Sequence, residues 1–417
     1  MRILDLTPAL TKKLLVARRS RDSEAERVAR TIVIDVRQRG DASLFAWTRK
    51  LDGVTLNAKT IWLSQKEIRG AARRVSAQFL RAVRQAARNI RRVAERQLPL
   101  EWSLEVEPGV KVSQLVRPIA SIGCYIPGGR SSLVSTLLMT AIPAQVAGVP
   151  RITAVCAKHN DELLAAADFL GVREIARIGG AQAIAALAYG TKSVERVEKV
   201  FGPGNKYVTA AKQLVSADCA IDLAAGPTEA VVLADRGNPA WIAADLLAQA
   251  EHAPDASSFL VTTSRKLANE VAEQVAAQLR ALPRTSPAHR SLQSAGAILI
   301  APSLAAGCEF VNQFAPEHLS LPSQTSSLLP QIRSSGTIFC GPYGAQPLGD
   351  YISGSNHVLP TAGWARRRGG LSAADFVKCI SVQEISRSGF ARLAGGAEIL
   401  AAAESLPAHR EAVRIRR

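Results

Sequence analysis

An α/β fold with two parallel-sheet units, a helical amino-terminal region and a helical carboxy-terminal tail is predicted by three observations. From Gln114 onward, short β-rich runs alternate with glycine turns and alanine-rich helices, the order expected of parallel strands covered by helices. Before that point, apolar residues recur at helical spacing among arginines. At 417 residues and 47% hydrophobic, the chain can bury a sizeable core and exceeds the usual length of one domain, so two or more are expected.

The elements follow in order. Ser23 with Glu24 and Glu26 behind it resembles a helix start, and Lys66 to Gln97 keeps helical apolar spacing; this region reads as scaffold or packing surface. Strands are expected at Ile119 to Ile126, Ile152 to Ala157, Glu174 to Ile178 and Lys199 to Phe201, three of them ending in glycine turns. After Asp222 the alternation resumes with strands at Ala230 to Ala234, Ser258 to Thr262, Ala297 to Ala301 and Thr337 to Cys340. Between them lie a helix at Pro239 to His252, a long helix ending at Leu282 and a helix ending at Phe314. From Arg366 the chain reads as a basic, mainly helical tail.

Composition excludes several classes. No apolar run approaches the roughly 20 residues of a membrane span, and the first residues lack a signal peptide's apolar stretch, so a cytoplasmic protein is expected. The six cysteines are widely separated and never form Cys-x-x-Cys, which disfavours a zinc ribbon and a disulfide framework. Reduced, mostly buried thiols are expected. The net charge of +17 raises the question of nucleic acid. Much of the excess lies on one helical segment, from Arg69 to Arg96, and in Arg366 to Arg368. No helix-turn-helix, zinc-finger or RNP pattern accompanies them, and only 5% of residues are aromatic, so a solvated face is the expectation and no nucleic-acid partner is assigned.

Three glycine turns stand at strand ends: Gly123-Cys-Tyr-Ile-Pro-Gly-Gly-Arg130, Gly179-Gly-Ala-Gln182 and Gly202-Pro-Gly-Asn205. Glycine there lets backbone amides approach an anionic phosphate. One such turn serves equally as a plain strand-to-helix connection. Three of them carry Tyr125, Gln182 and Asn205 to the edge where ligands lie in open α/β sheets, so a nucleotide crevice stands level with the structural alternative.

Histidine is scarce, yet four of the six accompany another acid/base or ligating group: Gln249 with His252, Glu317 with His318, Asp350 with His357, and Glu404 with His409. Imidazole titrates near neutrality and is the commonest metal ligand. Asn238-Pro239 resembles a helix start, which puts Gln249 and His252 on one face near that helix's end. Pro316 disfavours helix at Ala315, so Glu317 and His318 are expected just after a turn, where carboxylate and imidazole suit proton removal and water activation. Asp350 falls in a polar, glycine-containing loop. Two histidines, an aspartate and an amide oxygen would make a site for zinc, or for manganese or cobalt. Each segment alone is more readily a core, surface or capping feature. His159 and His289 read as loop residues.

Taken together, the three turns with Ala225-Gly-Pro-Thr-Glu, Ala250-Glu-His, Ala315-Pro-Glu-His-Leu, Gly349-Asp-Tyr and Ser353-Gly-Ser-Asn-His-Val-Leu-Pro-Thr closely resemble the histidinol dehydrogenase family, in order and over nearly the whole chain. The resemblance implies two incomplete Rossmann-like units. A main domain of 1–123 with 228–370 would hold the amino-terminal helices, 124–227 would be associated with NAD, and 371–417 would form a tail that completes the site of the second subunit in a homodimer. It also implies an NAD-dependent enzyme with one zinc ion per subunit that oxidises L-histidinol through L-histidinal to L-histidine.

By motif position the resemblance assigns zinc to Gln249, His252, Asp350 and His409, acid/base work to Glu317 and His318, and NAD contacts to Tyr125, Gln182 and Asn205. Substrate contacts fall to Thr228, Gln249, His252, His318, Asp350, Glu404 and His409. His357 receives no role. Thr228 stands where serine is common in the family, and Ala253 follows the Glu-His pair where a small or acidic residue is usual; neither change removes a proposed ligand. A related dehydrogenase of sulfonated diols is the alternative, and the tail's Glu404 and His409 favour histidinol.

Overall fold

The structure, a computed structural model, describes residues 1–18, 22–128, 132–223, 226–323 and 325–417. Parts of two motifs, Gly129-Arg130 and Ala225, therefore lie outside the described residues. The strands in chain order are β1 Arg2–Asp5, β2 Trp102–Glu107, β3 Val110–Pro118, β4 Ser121–Tyr125, β5 Arg151–Val155, β6 Glu174–Ala176 and β7 Lys199–Phe201. They continue with β8 Ala220–Ile221, β9 Glu229–Leu233, β10 Ser257–Thr262, β11 Gly296–Ile300, β12 His318–Leu321, β13 Thr337–Cys340 and β14 Val377–Ile385.

Two sheets are parallel, as the alternating pattern predicts. One has six strands in the order β1-β11-β10-β9-β12-β13, the other five in the order β6-β5-β4-β7-β8. Strands such as β4 and β9 are buried along their whole length, which is why they read as unbroken apolar runs rather than alternating ones. The strand order turns from descending to ascending between β9 and β12 in the larger sheet and between β4 and β7 in the smaller.

The amino-terminal region is helical, apart from β1, which pairs with β11 at the edge of the larger sheet. Its helices divide between the sheets. Helix Pro8–Ala17 turns Leu10, Leu14 and Leu15 onto the core beside the six-stranded sheet. Helices Ser23–Arg39 and Asp41–Asp52 bury Ile32, Val33, Val36 and Leu44 against Val155, Ala176 and Ile184 of the five-stranded unit. Helix Ala77–Gln97 adds Val83, Ala87 and Ile90 to the core that holds Ile122 and Leu137. Packing thus lays helices of residues 23–97 on the cores beside the five-stranded sheet, while Asn89 also donates to the Ile352 carbonyl at 2.8 Å. Apolar spacing shows that a helix has a buried face but not which sheet it covers.

The tail is mainly helical, as expected, but it opens with a strand that the sequence reading did not include. Its β14 pairs antiparallel with β3 over Val377↔Pro118 to Ile385↔Val110, and β2 completes a three-stranded sheet. The β-branched residues Val377, Ile380, Val382 and Ile385 favour this extended form. Helices Arg387–Ala403 and Pro407–Arg414 follow and pack on each other, with Arg417 ion-paired to Glu398 at 2.9 Å. This arm is poorly covered: Leu104 is 56% and Ile399 71% exposed, with Trp102, Ile380 and Leu400 also on the surface. All six cysteines are unpaired, four of them buried. Among the described residues no helix is long and apolar enough to cross a membrane.

Candidate active site

Glu317 and His318 enter the site from a strained turn. Helix Leu304–Phe314 ends on Ala315, whose φ of 50° lies in the left-handed region, a conformation that costs a non-glycine residue about 1–2 kcal/mol. Pro316 follows, and β12 begins at His318, in register with Ala230 of β9. The pair therefore sits at the amino-terminal edge of the sheet, beside the reversal of strand order, and both residues are buried. The strand itself went unread in the sequence, because its four residues follow directly on the turn.

The carboxylate of Glu317 is held by donors from the neighbouring strand. Its Oε2 accepts from the Glu229 backbone N–H at 3.0 Å and from the Thr228 hydroxyl. Thr228 in turn accepts from the Gln249 amide. His318 is different: neither ring nitrogen makes a hydrogen bond, although Nδ1 lies 3.7 Å from Glu317 and Nε2 3.5 Å from Asp350. A buried imidazole with both nitrogens unused is costly unless a ligand engages it. Burial opposes its positive charge, but the two carboxylates outweigh burial and raise its pKa above the ordinary imidazole value.

Asp350 lies on the short helix Gln346–Tyr351 rather than in the expected loop. Glycine is required beside it: a Cβ on Gly349 would stand 2.6 Å from the Phe339 ring. That ring belongs to β13 and stacks on His318 at 6.0 Å between centroids. Burial works against the Asp350 charge, yet His318, His357 and His252 together hold its pKa below the usual carboxylate value. His357 donates from Nδ1 to the Asp350 carbonyl at 2.9 Å and meets Thr136 at 3.4 Å through Nε2. It links the short helix to Val134–Val146 and so has a structural place that the sequence did not supply.

Helix Pro239–Ala250 is capped by Asn238 as its sequence predicts. It ends before His252, so Gln249 is the helical member of that pair and His252 stands just past the end. Gln249 is buried and His252 exposed. The Nδ1 of His252 faces the Ala248 carbonyl at 3.0 Å, which leaves Nε2 available, as in many metal-binding histidines. Among the described residues, no three His, Cys, Asp or Glu side chains converge closely enough to hold a metal. Glu404 and His409 are exposed on the tail and form no hydrogen bond or ion pair with the Glu317 cluster. His159 lies in a loop as expected; His289 instead belongs to helix Ala288–Ala295.

The second candidate cleft lies at the carboxyl ends of β4 and β7, where the smaller sheet reverses its order. The Tyr125 hydroxyl accepts from the Gly180 N–H at 3.1 Å. Gln182 is fully buried; its amide donates to Asp52 at 3.1 Å, while its Oε1 has no partner. Helix Gly180–Tyr189 has no side-chain cap; its first N–H is taken by Tyr125, which leaves the N–H groups that follow in the first turn for an anion. Asn205 caps helix Lys206–Val215 by accepting from Tyr207 and Val208, which accounts for its residue type structurally. The Gly202 turn presses so close to β4 that a Cβ would meet the Tyr125 carbonyl at 2.2 Å. Asp222 accepts from Gly202 N–H at 2.7 Å and from Leu223 N–H at 2.6 Å, and the Lys212 ammonium donates to Gly202 O at 2.8 Å and to Asp222. Sequence reading missed this buried clamp, since neither residue belongs to a recognisable motif.

A family model for histidinol dehydrogenase matches residues 16–417. The chain belongs to the histidinol dehydrogenase family. It is 44% identical over 404 residues to the histidinol dehydrogenase of Shigella dysenteriae serotype 1 (strain Sd197), covering 94% of this chain and 92% of that one. With the histidinol dehydrogenase of Halalkalibacterium halodurans it shares 46% identity over 395 residues, 93% of this chain and 92% of the relative. Its fold matches the crystal structure of histidinol dehydrogenase from Elizabethkingia anophelis with a TM-score of 0.94 at 37% identity, over 100% of this chain and 97% of that one. As a histidinol dehydrogenase family member the chain is an oxidoreductase of histidine biosynthesis. Nothing in these likenesses favours the sulfonated-diol alternative.

Proposed function

We propose that the chain oxidises L-histidinol through L-histidinal to L-histidine in the cytoplasm, with NAD as acceptor, as a homodimer whose tails are exchanged. One observation carries the reading at the level of chemistry. A buried carboxylate and a buried, unpartnered imidazole stand side by side, with Asp350 opposite and Gln249 linked to them through Thr228. Both oxidations couple proton removal to hydride departure, so one such pair serves both.

His318 takes the alcohol proton in the first oxidation, and the aldehyde stays in the site. Glu317, oriented by Thr228 and the Glu229 N–H, then draws a proton from water as it adds to the carbonyl. His318 removes the proton of the hydrate in the second oxidation. NAD would accept the hydride at each step, held near Tyr125, Gln182 and Asn205; the helix start at Gly180, which has no side-chain cap, and the unpartnered Gln182 oxygen fit a dinucleotide. Gln249, His252 and Asp350 fit a zinc ion, with His409 of a second copy as the fourth ligand, and the metal would orient the substrate's imidazole and amine. Thr228, Gln249, His252, His318 and Asp350 would line the substrate pocket, joined by Glu404 and His409 of that second copy. The exposed apolar arm of residues 371–417, and the absence among the described residues of any bond from Glu404 or His409 to the Glu317 cluster, support exchange between subunits.

The test is NADH formation from L-histidinol by protein treated with chelator, then supplied with zinc, with a sulfonated diol as competing substrate. Zinc-restored turnover of histidinol is expected. No turnover with metal restored would defeat the assignment.

A further inference from the structure

Behind the Glu317 carboxylate lies a buried ion pair that the proposed chemistry does not use. Glu229, the first residue of β9, gives its backbone N–H to Glu317. Its own carboxylate is gripped by Arg18, Nε to Oε1 at 2.7 Å and Nη2 to Oε2. The two side chains are only 8% and 3% exposed. The remaining guanidinium nitrogen, Nη1, donates to the Phe314 carbonyl, and the guanidinium carbon lies over the Phe314 ring, 3.8 Å from its centroid.

These contacts place one side chain on both backbone segments that determine where Glu317 points. Phe314 closes the helix from which the turn departs, and only Ala315 and Pro316 separate it from Glu317. Glu229 supplies the hydrogen bond that fixes the carboxylate from the other side. Arg18 comes from neither segment; it follows helix Pro8–Ala17, which packs beside both. Arginine suits the task because its rigid fork can bond a carboxylate with two nitrogens and a carbonyl with the third while stacking on an aromatic ring; lysine cannot.

The pair also has an electrostatic effect. Glu229 and Glu317 are neighbouring buried carboxylates, and without a counter-charge one would raise the other's proton affinity. Burial pushes the Glu229 carboxyl up to about 7 even with Arg18 beside it.

We propose that Arg18 is a positioning residue for Glu317: through Glu229 and the Phe314 carbonyl it sets the orientation of the carboxylate that activates water. The proposal rests on the acid/base reading of Glu317 given above, and its test separates the two. In full-length protein, Arg18→Lys, Arg18→Met, the double variant Arg18→Met with Glu229→Gln, and Glu317→Gln are compared for zinc content, thermal midpoint, and kcat and KM with histidinol and with histidinal.

The double variant removes both buried charges, so its stability is expected to recover relative to Arg18→Met alone. Its kcat for histidinal should nevertheless fall on the order of ten- to a hundredfold, as a displaced catalytic group would make it, with zinc content and KM for NAD unchanged. Arg18→Lys, which keeps the charge but loses the fork, should lie between it and the unaltered protein. A double variant that oxidises histidinal within about twofold of the unaltered rate, while Arg18→Met loses only stability, would make Arg18 a structural residue and overturn the proposal. Full activity in Glu317→Gln would instead defeat the acid/base reading itself, whatever Arg18 does.

Discussion

Replacing Lys212 with methionine isolates the clamp under the Gly202 turn. The ammonium and the Asp222 carboxylate are 2% and 0% exposed, and removing one partner of such a pair leaves a buried charge uncompensated, at a cost of about 3–5 kcal/mol. Asp222 keeps the Gly202 and Leu223 N–H donors, which holds the loss toward the lower end. For a chain of this size each kcal/mol moves the thermal midpoint by roughly 1–2 °C, so a fall of about 3–8 °C is expected. The Gly202 carbonyl also loses its donor, and the turn that abuts Tyr125 is no longer pinned from below. The Michaelis constant for NAD should therefore rise while that for histidinol holds. Denaturant unfolding monitored by circular dichroism, with steady-state kinetics on the same samples, measures both. Lys212→Met with Asp222→Asn should recover most of the stability, because no charge is stranded. A loss below about 1 kcal/mol in the single variant would show that the pair is solvated, and the reasoning from burial would fall.

Glu317→Gln should retain bound zinc while oxidation of histidinal slows sharply; loss of the metal, read by elemental analysis, would make Glu317 a ligand instead. A mixture of Glu317→Gln and His409→Asn subunits, refolded together, should regain activity that neither variant has alone, since one site of each mixed dimer combines the sound halves; no regain would place His409 in its own subunit's site or in none. Asp35 accepts two bonds from Arg39, each at 2.6 Å, and one from Trp47 at 2.7 Å, and the Arg39 guanidinium above all holds its carboxyl far below the usual carboxylate range. A depressed pKa stabilises the fold above the unfolded value of about 4 and ceases to do so as pH falls through the folded value. Asp35→Asn should thus cost about 1–3 kcal/mol near neutrality, with the gap to the unaltered protein closing in acid; a pH-independent gap in urea unfolding would refute the linkage.

What the sequence disclosed and what it withheld follow from the range of the interactions. Strand-turn-helix units were legible because buried apolar runs and glycine turns are local signals, as at β4 and at Gly179-Gly180. Ala315-Pro316 announced the turn that delivers Glu317, since proline restricts the residue before it. The placement of the helices between residues 23 and 97 was not legible, because an apolar stripe does not name its partner. Nor was β14, whose partner β3 lies far away in the chain and whose lysine and glutamate resembled those of a helical tail. Arg18 showed nothing distinctive as a letter; only the fold brings it to Glu229. Asn205 illustrates the opposite case, where a residue selected for a ligand role proves to have a sufficient local reason for its identity as a cap.

The pairing of β3 with β14 also constrains the order of events during synthesis. β3 emerges well before β14, and its outer edge stays without a partner until that distant strand has been made. A strand with unpaired amide groups invites pairing with other chains, and contacts between remote segments form slowly because a long loop must close first. The nascent protein therefore carries one open edge while both parallel sheets are being made, so a truncated product ending before Val377 should be prone to aggregate even though those sheets are already encoded.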